Sequence, residues 1–235
     1  MKKKAKKLVK IKRKLKNDKL IIAFDLDGTL IDSAPDLCLT LNKVLCLYNI
    51  KTVNEKVVRD SVGQGAKKLI ELALSHNKVK NHPLIEEMNE KFLKIYKNNC
   101  TINTQLFPNA LSILKLLKKN HRLILISNKP EYFVKKILKF FNIECLFEAV
   151  SGGDTFKYRK PDIRHLTLML EKIGGEVSKC IFIGDSITDI KFAYNAKIPI
   201  IFTTFGYNSI SYKKLNPQFL IKNLSEIPLI LKKLS

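Results

Sequence analysis

Apolar residues along this chain fall into two kinds of pattern. Residues 20–24, 123–126, 180–183 and 198–203 are nearly continuous apolar runs, and the first three break into Asp25, Ser127-Asn128 and Gly184-Asp185. Short runs that are apolar at every position and end in turn residues predict strands buried on both faces. Residues 147–150 form a fainter fifth run ahead of Ser151-Gly152-Gly153-Asp154. Between the runs, residues 110–119, 131–141, 162–173 and 187–196 repeat apolar positions at helical spacing. Strands alternating with helices of this length predict βαβ units, and so an α/β fold with a doubly wound, Rossmann-like parallel sheet.

Residues 34–105 break the alternation. Three stretches, 36–48, 66–75 and 84–96, have helical spacing, and no strand-like run separates them. This predicts an all-helical cap domain inserted after the first strand, with Pro35 and Pro108 near its two junctions as stiffeners. The expected organisation is a basic, disordered tail over 1–19, an α/β core formed by 20–33 and 106–235, and the cap over 34–105.

Charge changes this picture only at one end. The 235 residues carry 43 Lys and Arg against 21 Asp and Glu, a net charge of +22, which by itself points to a polyanionic partner. Eleven of the basic residues and one acid, Asp18, lie in residues 1–19, so this short segment holds ten of the 22 excess charges. Within it Leu8, Ile11 and Leu15 give a thin apolar stripe, so weak contact of residues 1–19 with an anionic surface is expected. Lys dominates the basic residues across the chain, with only five Arg, whereas phosphate-gripping surfaces also use the Arg fork. No obligate nucleic-acid partner is therefore expected. No apolar run is long enough to span a membrane, and no secretory signal pattern follows the basic start, so a cytoplasmic protein is expected. The five Cys, at 38, 46, 100, 145 and 180, show no metal-binding spacing and read as buried or half-buried free thiols.

In open α/β sheets ligands bind beyond the carboxyl ends of the strands. Those ends deliver Asp25 and Asp27, then Ser127 and Asn128, then Asp185, with Asp189 four residues on and Lys160 ahead of the helix near 162. Four converging carboxylates repel unless a cation sits among them, and Mg²⁺ takes oxygen ligands. Mg²⁺, a Lys and a hydroxyl together make a receptor for a phosphoryl group. Asp25 and Asp27 alternate along an extended strand end and can address one substrate from neighbouring points. One can attack phosphorus while the other moves the proton. Gly28 permits the sharp turn that follows, and Thr29 supplies a further hydrogen bond to phosphate.

The run from Phe24 to Ser33 (FDLDGTLIDS), followed in order by Ser127-Asn128, Lys160-Pro161 and Gly184-Asp185-Ser186-x-x-Asp189, resembles the four motifs of the haloacid dehalogenase superfamily of phosphohydrolases. The resemblance implies that Asp25 is the nucleophile and Asp27 the general acid and base, while Ser127, Asn128 and Lys160 hold the phosphoryl group. It also implies Mg²⁺ bound by Asp25, the backbone carbonyl of Asp27 and Asp185, with Asp189 behind them. Asp32-Ser-Ala-Pro-Asp-Leu37, Ser127-Asn-Lys-Pro130, Gly152-Gly-Asp-Thr155 and Thr204-x-Gly206-Tyr207 are similar to the phosphoglycolate phosphatase group of that superfamily. By that similarity Gly63-Gln64-Gly65 is a substrate-specificity loop, and the substrate is a small phosphorylated carboxylic acid. Hydrolysis of 2-phosphoglycolate to glycolate and phosphate is the expected reaction. A hexose-phosphate mutase or pyrophosphatase on the same core, or a polynucleotide-end phosphatase using the basic tail, are the alternatives. Ile163 departs from the group's pattern, where a second Pro is usual.

Several residues have plainer readings. Asp25-x-Asp27-Gly28 alone is compatible with a calcium loop, but position six of such a loop is Leu30, not glycine. Gly63-Gln64-Gly65 fits neither a dinucleotide nor a P-loop pattern and can be a helix–helix turn. Asn128 and Lys129 suit entry into a helix as well as ligand contact. Tyr207 reads as a packing aromatic and His165 as a surface residue.

Overall fold

The computed structural model describes residues 19–63, 65–79, 83–207 and 216–234. Apart from Lys19, the basic segment lies outside the described residues, as does Gln64. Six strands form one sheet: β1 (Ile21–Phe24), β4 (Arg122–Ile126), β5 (Ala149–Ser151), β6 (Cys180–Gly184), β7 (Ile200–Thr203) and β8 (Phe219–Ile221). Their order is β5-β4-β1-β6-β7-β8 and every pairing is parallel. Two further strands, β2 (Ile31–Asp32) and β3 (Gln105–Leu106), form a small antiparallel pair of their own.

The apolar runs become strands because both faces of the sheet are covered. Ile22, Phe24, Leu123, Leu125, Ile181 and Ile183 face one apolar cluster, shared with α5 (Ala110–Lys118), α6 (Glu131–Phe140) and α9 (Ile227–Leu234). Ile21, Ala23, Ile124, Ile126, Cys180 and Phe182 face the other, shared with α7 (Arg164–Ile173) and α8 (Ile187–Asn195). The sheet is thus doubly wound. From β1 the chain runs out to β4 and β5, then returns to the other side of β1 for β6 to β8. The switch point, where such sheets bind ligands, is therefore the carboxyl end of β1.

Between β2 and β3 lie four helices, α1 (Ala34–Leu47), α2 (Glu55–Arg59), α3 (Ala66–His76) and α4 (Ile85–Asn99). Pro35 occupies the first turn of α1, where a missing N–H costs nothing. The β2–β3 pair brings the two ends of this helical segment side by side. Asp36, fully buried, ties them further by accepting hydrogen bonds from the backbone N–H groups of Asn103 (2.8 Å) and Thr104 (2.9 Å) and from the Thr104 hydroxyl (2.7 Å).

β8, α2 and α9 are not among the elements expected from the sequence, although α9 buries Ile227, Ile230, Leu231 and Leu234 at helical spacing. β8 is apolar at all three positions but only three residues long, and its central Leu220 is exposed, as an edge strand allows. The thiols also correct the reading from sequence: all five are free, but Cys46 and Cys145 are exposed.

Candidate active site

Charged side chains from several elements converge on the switch point. Asp25 continues β1, its N–H donating to the Ile183 carbonyl (2.9 Å), so its carboxyl group emerges between β4 and β6. Lys160, in the loop ahead of α7, reaches under it: Nζ lies 2.8 Å from Asp25 Oδ1 and 2.7 Å from Asp189 Oδ1. Asp189 is held by a capping box at the start of α8. Its backbone N–H donates to Ser186 Oγ, and its Oδ2 accepts from the Ser186 N–H (3.0 Å) and hydroxyl (2.6 Å). Asp185, at the end of β6, accepts from the Tyr207 N–H (2.8 Å) and the Thr29 hydroxyl (3.3 Å). Thr29 is fully buried, so the structure turns its hydroxyl toward a carboxylate rather than into the cavity expected to hold phosphate. Gly28, at φ +82°, makes the turn after Asp27, and a Cβ there would meet Asp185 Oδ2 at 2.2 Å.

Asp27 faces a second set of partners. It accepts from the Ser33 hydroxyl and from Lys129, whose Nζ stands 3.0 Å from Oδ1 and 3.2 Å from Oδ2. The Lys129 side chain is only 6% exposed, so entry into a helix is not its main role. Tyr207 also does more than pack. Its hydroxyl accepts from the backbone N–H groups of Ser33 (2.6 Å) and Ala34 (3.0 Å) and donates to Asp32 Oδ1 (2.9 Å), fixing the chain that carries Asp27 into α1.

The loops after β4 and β5 support each other. Gly153 N–H donates to the Lys129 carbonyl (2.8 Å), and a Cβ on Gly153 would lie 2.4 Å from the Asn128 carbonyl oxygen, an approach only glycine permits. Asn128 Nδ2 donates to the carbonyls of Lys160 (3.0 Å) and Gly63 (3.3 Å), joining the lysine loop to the loop between α2 and α3. His165 corrects the reading from sequence: it is fully buried, its Nε2 2.9 Å from Ser151 Oγ, because it shares the sheet-facing side of α7 with Met169. Burial, and then the nearby Lys160 charge, push its pKa down to about 4. Its four-residue spacing from Met169 was the signal available in the sequence.

Above these groups lies a cavity of about 60 Å³ between the sheet edge and the helical segment. Asp25, Asp27, Ser127, Asn128, Lys129 and Lys160 line its floor, together with Gly63 and Gly65 at one side. Its roof is apolar, formed by Leu37, Leu69, Phe92, Leu93 and Tyr96. The space suits roughly four to six water-sized groups. It opens past Gly63, Gly65, Asn128 and Thr188 into a wider groove of about 610 Å³.

Among the described residues, Asp25, Asp185 and Asp189 form a group that can hold a metal ion, with one ligand oxygen from each lying within 4.8 Å of the others. One Lys does not balance them. Burial chiefly, with Asp189 adding repulsion against the pull of Lys160, pushes the Asp25 pKa up to about 7. Asp185 is raised well above its ordinary value by burial and then by Asp189 and Asp25. A buried all-oxygen set carrying excess negative charge fits a hard divalent cation. Both Asp189 oxygens serve Lys160 and Ser186, and both Asp185 oxygens accept from Thr29 and Tyr207, so an ion here would share carboxylates that the protein already orients.

This fold and site define a hydrolase. The model of the haloacid dehalogenase-like hydrolase family matches residues 22–203, and the chain belongs to that family. The chain is 35% identical over 222 residues to a phosphoglycolate phosphatase of Colwellia psychrerythraea, covering 92% of this chain and 98% of the relative. It is 38% identical over 193 residues to a phosphoglycolate phosphatase of Vibrio cholerae, covering 80% and 85%. A crystal structure of a predicted phosphoglycolate phosphatase from Haemophilus somnus 129pt superposes with a TM-score of 0.85 at 30% identity, covering 91% of this chain and 98% of the other.

Proposed function

We propose that this protein is a Mg²⁺-dependent phosphatase that hydrolyses 2-phosphoglycolate to glycolate and phosphate. The observation that carries the reading is Lys160 held between Asp25 and Asp189 at the floor of a small cavity, with Asp27 on the same strand end facing that cavity. Asp25 is the nucleophile: its carboxylate oxygen attacks phosphorus while the bond from phosphorus to the glycolate oxygen breaks. Asp27 gives a proton to that departing oxygen. Asp27 then takes a proton from water as the water oxygen attacks the phosphorus of the aspartyl-phosphate, which frees Asp25 and releases phosphate. Lys160, Ser127 and Asn128 hold and orient the phosphoryl oxygens. Mg²⁺ would be held by Asp25, the backbone carbonyl of Asp27 and Asp185, with Asp189 behind them. When bound it supplies positive charge that offsets the charge on the phosphoryl oxygens.

The size and apolar roof of the cavity favour a small ester over a hexose phosphate, whose hydroxyls would need more partners than this roof offers. The closeness to several phosphoglycolate phosphatases over nearly the whole chain supports the same substrate. The helical segment would act as a cap that closes over the bound ester and excludes water. The purified protein is expected to release phosphate from 2-phosphoglycolate with Mg²⁺ and to stop when EDTA is added. An Asp25→Asn variant that kept comparable turnover would remove the assigned nucleophile.

A further inference from the structure

The reaction just described uses Asp27 and leaves its buried partner, Lys129, without a role. The Lys129 ammonium bridges both Asp27 oxygens and lies 4.8 Å from the centre of the Tyr96 ring, contributed by α4. The Tyr96 hydroxyl is buried beside that ammonium and makes no hydrogen bond of ordinary geometry. Both side chains line the cavity. Of the described residues that line it, only Lys129 and Lys160 are cations, and Lys160, beside Asp25 and Asp189, is assigned to the phosphoryl group. The two ammonium groups therefore serve opposite poles of the cavity, one beside the attacking carboxylate and one beside the proton-transferring carboxylate.

A second anionic group on the substrate cannot be buried under the apolar roof without a cation. The leaving oxygen must come within about 2.6–3.2 Å of Asp27, and Lys129 is equally close to that carboxylate. A carboxylate one carbon away from the ester oxygen falls into this neighbourhood. An ammonium has three donors and no acceptor, so Lys129 can serve Asp27 and a ligand together. We propose that Lys129, assisted by the Tyr96 hydroxyl, is the specificity group that binds the substrate carboxylate, selecting phosphate esters of 2-hydroxy acids. The inference rests on the reading of Asp27 as the acid beside the leaving oxygen. It places the main carboxylate contact on the core side of the cavity rather than on Gly63-Gln64-Gly65.

The test compares kcat/KM for 2-phosphoglycolate with that for 2-hydroxyethyl phosphate, which keeps the chain length and lacks the negative carboxylate. The full-length protein is used with Mg²⁺. Wild type is expected to prefer the carboxylate ester by at least tenfold, about the worth of one charge-assisted hydrogen bond. Lys129→Met slows both substrates, because Asp27 loses its partner, but the preference ratio falls at least tenfold. Tyr96→Phe leaves the Asp27–Lys129 pair in place and lowers the ratio by a smaller factor, mainly through KM. If Lys129→Met does not fold, Tyr96→Phe decides the matter. A ratio unchanged in the folded variants, or an active wild type with no preference, overturns the specificity role and leaves the phosphatase reading intact. Wild type that releases no phosphate from either ester overturns both.

Discussion

Lys160 Nζ donates to Asp189 Oδ1 across 2.7 Å, and the same carboxylate closes the first turn of α8 through Ser186. The lysine assigned to the phosphoryl group is thereby positioned by a helix cap rather than by its own loop alone. Asp189→Asn preserves an acceptor for the Ser186 N–H and removes the charge opposite Lys160. Asp189→Ala removes both. The expected order is a ten- to hundredfold loss of kcat/KM with a modest fall in Tm for the first. The second should lose a further ~1 kcal/mol for the missing cap. Steady-state kinetics and chemical denaturation of the two variants check this. Equal stability of both would show that the cap contributes nothing.

Metal and pH act on the same carboxylates. Asp25 is raised from its ordinary value to about 7, so between about pH 4 and 7 the folded, metal-free protein binds more protons than the unfolded chain. Through Asp25, stability therefore falls as pH rises across that window. His165, lowered to about 4, works in the opposite direction, since its stabilisation is lost as pH falls from about 6.5 towards 4. Taking the difference in Tm with and without Mg²⁺ at each pH cancels the His165 contribution. That difference is expected to be larger at pH 8 than at pH 5, because the ion needs ionised carboxylates. Thermal melts across the range measure it, and a difference that shrank with rising pH would contradict the assignment of Asp25 as a ligand.

Tyr207→Phe removes a single oxygen that serves two backbone N–H groups and Asp32. Leaving buried donors unsatisfied costs about 1–3 kcal/mol. The variant should lose that much stability in urea and also lose activity, because residues 33 and 34 anchor the strand end bearing Asp27. Loss of stability with unchanged kcat would confine Tyr207 to packing.

Gly28→Ala forces a side chain into the left-handed region at φ +82° and drives its Cβ to 2.2 Å from Asp185 Oδ2. The backbone penalty alone is roughly 1–2 kcal/mol. The clash falls on a carboxylate assigned to the metal, so the Mg²⁺ concentration for half-maximal activity is expected to rise as well. Titration of activity with Mg²⁺ reads this directly.

Removal of residues 1–18 is expected to leave kcat and KM for a small ester unchanged, since the catalytic groups lie elsewhere. Any binding of the full chain to duplex DNA or anionic vesicles should be weakened by the deletion. On DNA the log–log salt slope is about −0.9 for each phosphate neutralised. Changed turnover of the small ester would tie the basic segment to the reaction.

Much of the fold was legible because its strands are buried on both faces. Residues 20–24 and 180–183 read as strands from apolar content alone; β1 lies within the first run, and β6 extends one residue past the second, to Gly184. β8 is just as apolar, but at three residues on the sheet edge it is too short for that rule to single out. Among the site residues, Asp25, Asp27, Ser127 and Asp185 were visible as polar breaks after apolar runs. His165 was misplaced because a polar residue on the buried side of α7 needs a partner, Ser151, that lies in another element. Tyr207 carried no signal for its three hydroxyl contacts, which come from the distant start of α1.

The amino-acid sequence by itself determined which charges stand at the strand ends and in what order, because strand burial and turn chemistry are local properties of the chain. Only the tertiary structure decided which charge meets which. Asp27 and Lys129 are separated by 102 residues, and Thr29 and Asp185 by 156. No local periodicity encodes such pairings. They arise where the sheet brings β4 and β6 to either side of β1, in a buried setting where an unpaired charge is too costly to persist.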